Sequence, residues 1–320
     1  MQALETDTFR EGQDMPEFLL QELSRCRSED EVRSIREGWR AARNRPVTLR
    51  ANSLKATADE VSSALGVAGI GFERVTWYPD AFVLEGVRER AVWDLPVYRD
   101  GKVYLQSLSS MLPPLALHPR AGADVLDACA APGGKTSQIA ALTAGTAHIT
   151  ACELNGPRAD KLVHNLDKLG VGNVNVMRTD ARRLDVFFSF DQVLVDAPCT
   201  GSGTVRAGDP RAGQRITAKL LDKTRRQQAA LLDRALDVLK PGGNLVYSTC
   251  SLLPDENEAQ VEKTLARHGD CKVVPVGKLG GIDLEDPPFH ALEPRLDGTL
   301  TICPDRFYEG FFIACIEKVR

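Results

Sequence analysis

Hydrophobic positions recur along this chain with two different periods, and the changes between them divide it. Over residues 14–45 the apolar spacing is helical. Asp14 is placed to cap a short helix with Pro16 in its first turn. Ser28 precedes Glu31 at capping-box spacing, ahead of Val32, Ile35 and Trp39. Pro46 ends this arm. Residues 47–95 mix the two periods: PVTLRANSL reads as a strand, TADEVSSALGVAG as a short amphipathic helix, and FERVTWYPDAFVLEG as strand, turn, strand. After Gly101, YLQSLSSMLPPLAL predicts a helix broken at Pro113-Pro114.

From Ala123 onward strands and helices alternate. VLDAC (125–129), HITACEL (148–154), VNVMR (174–178), QVLVDA (192–197) and LVYST (245–249) predict strands. Helices fit at 134–144, 156–170, 217–239 and 255–267, with Gly170 and the run Pro241-Gly242-Gly243 as stop signals. Such alternation predicts an α/β fold, a doubly wound, mostly parallel sheet covered on both faces. FYEGFFIACIE (307–317) is a candidate late strand, antiparallel to the rest. No internal repeat is visible. The expected domains are a helical arm (1–46), a small α+β module with a connecting helix (47–120), and a Rossmann-like domain (121–320).

Composition narrows the class. The 320 residues are 43% hydrophobic and 26% charged, as in soluble globular proteins. No apolar run reaches the length of a membrane span. The polar N-terminal stretch resembles neither a secretory signal nor a transit peptide, so a cytoplasmic monomer is expected. The eight cysteines include no Cys-x-x-Cys pair, and no metal site is expected. The net charge of −4 argues against nucleic acid until its distribution is examined. Residues 25–55 and 203–240 each carry nine Lys/Arg against four Asp/Glu, which leaves −14 elsewhere. Two basic stretches on an acidic body suit a protein that tracks phosphates.

The most informative segment is DACAAPGGKT (127–136), which follows a strand and opens a helix. Doubly wound folds bind nucleotide-like ligands there. Ala130, Ala131, Gly133 and Gly134 keep the turn small, so backbone can approach a ligand. A P-loop would need glycine where Cys129 stands, and the dinucleotide fingerprint Gly-x-Gly-x-x-Gly is absent. An S-adenosylmethionine site fits better. Glu153, ending the second strand, is placed for the ribose hydroxyls, and Asp180, after the third, for the adenine amine.

Two cysteines follow two strand ends, Cys199 in DAPCTGSGT and Cys250 in STCS. Gly201 and Gly203 leave room for a flat base. A thiol suits methylation at carbon 5 of cytosine, which is too weak a nucleophile unaided. A thiolate adding to carbon 6 creates an enamine, and carbon 5 then attacks the methyl group. Asp196 is placed to bind the exocyclic amine and ring nitrogen 3. The chemistry alone leaves open which cysteine attacks.

RANSLK (50–55), QSLSSM (106–111), DACAAPGGKT, DAPCTGSGT, STCSLLPDENE (248–258) and RFYEGFFIA (306–314) together resemble the RNA cytosine-5 methyltransferases of the RsmB/Nop/NSun family. The resemblance implies a class I methyltransferase fold and S-adenosyl-L-methionine as cofactor. It implies Cys250 as nucleophile and Cys199 as the partner in adduct breakdown and product release. It further implies that Cys129, Ala130, Ala131, Pro132, Gly133, Gly134 and Lys135 wrap the cofactor. Glu153 would hold the ribose in place of the more usual Asp. Arg158, Asp180 and Asp196 would be further contacts, and Lys135 is also a candidate base contact. DNA cytosine-5 enzymes would attack from Cys199 instead, and a non-catalytic RNA-binding assembly factor is a third alternative.

A flipped or looped cytidine is the expected substrate, in rRNA first and tRNA next. Arg206, Arg211, Arg215 and Lys219 are candidate phosphate contacts. Arg225 and Arg226 fit a solvated helix face. The module at 47–95 is expected to be an RRM-like sheet with helices on one face, where Trp77 and Tyr78 are core in preference to base-stacking residues. Neither a NusB-like N-terminal domain nor a C-terminal RNA-binding domain is expected.

Overall fold

The computed structural model describes residues 15–277 and 281–319, so the cap expected at Asp14 lies outside the described residues. The arm is two helices, α1 (Glu17–Cys26) and α2 (Glu29–Ala41). Pro16 is the N-cap of α1 and not part of its first turn. Ser28 Oγ accepts from the Glu31 N–H at 3.2 Å, and Glu31 Oε2 accepts from the Ser28 N–H at 3.0 Å, completing the capping box. Leu19, Leu23, Ile35 and Trp39 bury against Val205, Ala212, Ile216, Leu252 and Leu253. At about 2 kcal/mol per buried side chain, these contacts hold the arm on the large domain.

The small module runs β1 (Val47–Ala51), α3 (Ala58–Val67), β2 (Phe72–Arg74), β3 (Ala81–Leu84), α4 (Glu89–Trp93), α5 (Pro96–Arg99) and β4 (Val103–Leu105). Its antiparallel sheet has the order β2-β3-β1-β4. Leu49, Ala51, Phe82, Leu84 and Val103 pack against Val61 and Leu65 of α3, Val92 of α4 and Val97 of α5. The opposite face is also covered. Thr48 and Arg50 are buried, and Arg50 donates to Ser137 Oγ (3.1 Å) and Gln106 Oε1 (3.2 Å). Ala81 and Val83 join the core of the large domain. Trp77 and Tyr78 are buried too, and Trp77 Nε1 donates to the Tyr308 hydroxyl at 2.8 Å.

Helix α6 (Leu108–Leu117) runs straight through Pro113 and Pro114, against the expected break. The second proline removes the N–H that Ser110 O would accept, and Gln106 Nε2 donates to that carbonyl instead at 3.1 Å. The helix is buried on nearly every side, so packing outweighs the lost bonds.

The large domain follows as β5 (Asp124–Asp127), α7 (Gly134–Leu142), β6 (His148–Cys152), α8 (Gly156–Leu169), β7 (Val174–Met177), β8 (Phe190–Asp196), α9 (Pro210–Arg215), α10 (Ala218–Asp237) and β9 (Leu239–Thr249). Next come α11 (Glu258–Leu265), β10 (Cys271–Val274), β11 (Ala291–Leu292), β12 (Leu300–Ile302) and β13 (Phe311–Lys318). Among the described residues these strands form one sheet, ordered β11-β12-β13-β9-β8-β5-β6-β7, with β10 also paired to β13. The run from β7 to β9 is parallel, and β13 is antiparallel to β9.

Pro241-Gly242-Gly243 does not stop a helix. Helix α10 has already ended at Asp237, and the three residues lie in β9, where pairing with β8 jumps from Phe190↔Leu239 to Gln192↔Asn244. Gly242 has φ +75°, which suits this bulge.

Candidate active site

The chain runs from β5 out to β6 and β7, then crosses back to β8, so strand order reverses between β5 and β8. The carboxyl ends of strands open into a crevice at such a reversal. Two adjoining cavities fill it. The larger, about 690 Å³, is lined by Glu153, Arg158, Asp180 and Cys199 among others. The smaller, about 300 Å³, is lined by Ser110, Lys135, Thr204, Glu309 and Phe311 among others. Cys129, Ala131, Asp196, Ala197 and Cys250 line both.

The glycine turn forms part of the wall between them. Ala130, Pro132, Gly134 and Lys135 line the smaller cavity, and Cys129 and Ala131 line both. Gly133 lines neither cavity: it has φ +107°, and a Cβ there would lie 3.0 Å from Leu162 Cδ1. A Cβ on Gly134 would lie 2.9 Å from the Tyr104 ring. The buried Asp127 anchors the turn, accepting from Thr136 Oγ1 at 2.7 Å and from the Cys129 N–H at 3.4 Å. Burial pushes its carboxyl up to about 6. Burial also raises the Cys129 thiol well above its ordinary value, so that sulfur stays a neutral wall.

In the larger cavity, Glu153 Oε1 accepts from the Asn155 N–H at 2.7 Å and Oε2 lies 3.4 Å from Arg158. Arg158 also donates to Ala131 O at 2.8 Å, tying this carboxylate to the turn. Asp180 is gripped by Arg182, whose Nε donates to Oδ1 at 2.8 Å, and this hydrogen bonding holds its carboxyl below the usual range. A cleft of this volume with two carboxylates along one side fits a nucleoside cofactor.

In the smaller cavity, Lys135 Nζ donates to Asp196 Oδ2 (2.7 Å) and Ser110 Oγ (2.8 Å), and lies 5.6 Å from the Phe311 ring centroid. Ser248 Oγ donates to Asp196 Oδ1 at 2.8 Å. Glu309 Oε2 accepts from Ser107 Oγ at 2.9 Å.

The two cysteines meet because β8 and β9 are parallel neighbours, with Asp196 opposite Ser248. Their loops leave the sheet side by side, and Cys199 Sγ lies 3.1 Å from Cys250 Sγ. The hydrogen bond with Cys250, followed by burial, raises the Cys199 thiol well above its ordinary value.

Sequence reasoning did not assign Glu256, which fixes this pairing. It is fully buried and accepts from the Thr200 N–H (2.9 Å), Thr200 Oγ1 (2.6 Å), Thr224 Oγ1 (2.6 Å) and Gln228 Nε2 (3.3 Å). The ENE run after STCS was its only signal. Ser110, Ser248 and Glu309 were likewise visible only as letters in the motifs. Gly203 does not make room for a base. It is pinned between Cys250 O and the Gly310 N–H, each at 2.9 Å, and a Cβ there would lie 1.9 Å from Gly310 O.

Arg206, Arg211, Arg215 and Lys219 are exposed on and around α9, beyond the Cys199 loop. Arg225 is paired with Asp255 at 3.2 Å, and Arg226 is exposed. Among the described residues, no group of three or more His, Cys, Asp or Glu side chains could hold a metal ion. No described helix is long and apolar enough to cross a membrane.

Known proteins share this chain's sequence and fold. Residues 114–317 match the family model of 16S rRNA methyltransferase RsmB/F. The chain is 35% identical over 286 residues to the 26S rRNA (cytosine-C(5))-methyltransferase nsun-1 of Caenorhabditis elegans, covering 86% of this chain and 42% of that protein. It is 36% identical over 281 residues to the ribosomal RNA small subunit methyltransferase F of Shewanella amazonensis, covering 85% of this chain and 58% of that one. The chain thus spans about half the length of these relatives. A methyltransferase homolog protein from Pyrococcus horikoshii superposes with a TM-score of 0.73 at 33% identity, covering 94% of this chain and 98% of that one. The large domain has the class I methyltransferase fold.

Proposed function

This chain belongs to the RsmB/F methyltransferase family, and from that premise we propose that it methylates carbon 5 of a cytosine in RNA, using S-adenosylmethionine and a covalent cysteine–cytosine adduct. The observation that carries the reading is the contact of Cys199 and Cys250, 3.1 Å apart where the two cavities meet. The larger cavity would take the cofactor, with Glu153 on the ribose, Asp180 near the adenine amine and Arg158 bracing the turn. When bound, the cofactor supplies an electrophilic methyl group.

The smaller cavity would take the flipped base. Asp196 and Lys135 form a charged pair against its polar edge, and Phe311 offers an aromatic wall. Cys250 lines both cavities whereas Cys199 lines only the larger, which favours Cys250 as the sulfur that adds to carbon 6. Carbon 5 then attacks the methyl group as the methyl–sulfonium bond breaks; its proton passes to solvent water as the carbon 6–sulfur bond breaks and Cys250 leaves as a thiolate. Cys199 keeps its own proton and is placed to hydrogen-bond that departing sulfur.

Ribosomal RNA is the favoured substrate and transfer RNA the next, because the similar proteins are named for ribosomal RNA. The sheet order of the small module, with α3 after β1 and the short α4 and α5 between β3 and β4, supports an RRM-like fold. With both sheet faces covered, its role is to brace the catalytic domain and not to stack bases. The test is incubation with ribosomal RNA transcripts and methyl-tritiated cofactor, then digestion to nucleosides. Label in 5-methylcytidine is expected, and label in any other nucleoside would refute the reading.

A further inference from the structure

The two basic stretches, 25–55 and 203–240, lie far apart in sequence, and the fold joins them. Helix α2 approaches the segment before β13 so closely that a Cβ on Gly38 would lie 1.7 Å from Pro304 O. Its end is stitched to the loop beyond Cys199: Trp39 O accepts from the Ala207 N–H at 2.9 Å, and Arg43 Nε donates to Ala207 O at 2.7 Å. Arg40, beside Trp39, and Arg206, beside Ala207, therefore share one surface. The row continues through Arg211 to Arg215, whose guanidinium lies 3.9 Å from the Cβ position of Gly201, two residues past Cys199.

Arg25, Arg33, Arg74, Arg178 and Arg267 are exposed arginines paired with Glu22, Asp30, Asp59, Asp160 and Asp233. Arg40, Arg206, Arg211, Arg215 and Lys219 are exposed, and none has a carboxylate in ion-pair reach among the described residues. Arg88, Arg90, Arg120 and Arg226 are exposed and unpaired as well among the described residues, so what marks this surface is that its unpaired cations follow one another toward the site. A row of unpaired cations repels itself until an anion lies along it. It leads to the mouth of the site, while the sheet face that could have bound a strand is closed off, its Thr48 and Arg50 buried.

We infer that the N-terminal arm is part of the RNA-binding surface, with Arg40 extending Arg206, Arg211, Arg215 and Lys219 into a track for the phosphates of the strand entering the site. This rests on the RNA reading above. The test uses the full chain and a short, unstructured, fluorescein-labelled RNA with one central cytidine, its affinity followed by anisotropy from about 50 to 200 mM potassium chloride. Arg40→Gln is expected to weaken binding several-fold at the low-salt end. It should also reduce the magnitude of the log–log salt slope by about 0.7, the value for one phosphate contact on a single strand. Arg40→Lys should keep the slope, since a point charge suffices for a phosphate. Arg25→Gln on α1 should leave the slope unchanged. A wild-type slope retained in Arg40→Gln would overturn the inference and leave the RNA reading standing. A wild-type slope near zero would overturn both.

Discussion

Glu256 offers the sharpest test of how the two cysteine loops are held. Substituting Glu256→Ala removes a fully buried acceptor that serves four donors. Two of them have other partners: Thr224 Oγ1 can donate to Leu221 O at 3.0 Å, and Gln228 Nε2 to Pro198 O at 3.0 Å. The Thr200 N–H and hydroxyl have none, so two buried donors are orphaned at about 1–3 kcal/mol each. Adding the emptied volume brings the expected loss to about 3–6 kcal/mol. Glu256→Gln keeps the volume and one acceptor oxygen, so about 1 kcal/mol is expected. Urea unfolding followed by circular dichroism measures both, with an unchanged slope confirming a native-state effect. The Ala variant should also lose methyl transfer beyond its share of unfolded protein, because Thr200 adjoins Cys199. If Ala and Gln agree within about 1 kcal/mol, Glu256 does not hold the Cys199 loop as argued.

Three further outcomes are expected. The Asp127 carboxyl, near 6 when folded against an ordinary 3.8, binds its proton more tightly in the folded state. Its contribution is therefore full below about pH 4 and falls by about 3 kcal/mol as pH rises through 6. Asp127→Asn should flatten that limb in denaturation curves run between those pH values, and parallel curves would refute the assignment. Gly38→Ala places a Cβ against Pro304 O and should destabilise arm docking by about 1–3 kcal/mol, read as faster limited proteolysis within residues 15–45. Proteolysis at the wild-type rate would contradict the close approach. Lys135→Met leaves Asp196 without its cation and should cut kcat at least about tenfold while cofactor affinity, by calorimetry, changes little. A selective loss of cofactor affinity would move Lys135 to the other cavity.

The site was legible where chemistry is written in short contiguous runs. The turn 127–136 and the segments around Cys199 and Cys250 each follow a strand, so sequence order alone brings them to one end of the sheet. What could not be read depends on contacts between distant segments. Pro113 and Pro114 look like helix breakers because the rule concerns local hydrogen bonds, yet Gln106 replaces one of them. Gly203 looks like space for a base until Gly310 arrives against it. The covered face of the small sheet is polar at Thr48 and Arg50, so only the partners of Arg50 on α7 and beside α6 show that it is interior. Glu256 reads as one acid in an acidic run, and its burial follows from α10 packing over it.

In the proposed mechanism Cys250 bonds to the base and Cys199 assists its release. The most direct measurement is covalent trapping. Cys199→Ala and Cys250→Ala are each incubated with ribosomal RNA and S-adenosylmethionine and run on denaturing gels. A shifted, nuclease-sensitive protein–RNA band is expected with Cys199→Ala and none with Cys250→Ala. A band with Cys250→Ala instead would reverse the roles. No band with either variant, from an RNA that the wild type methylates, would contradict the covalent mechanism.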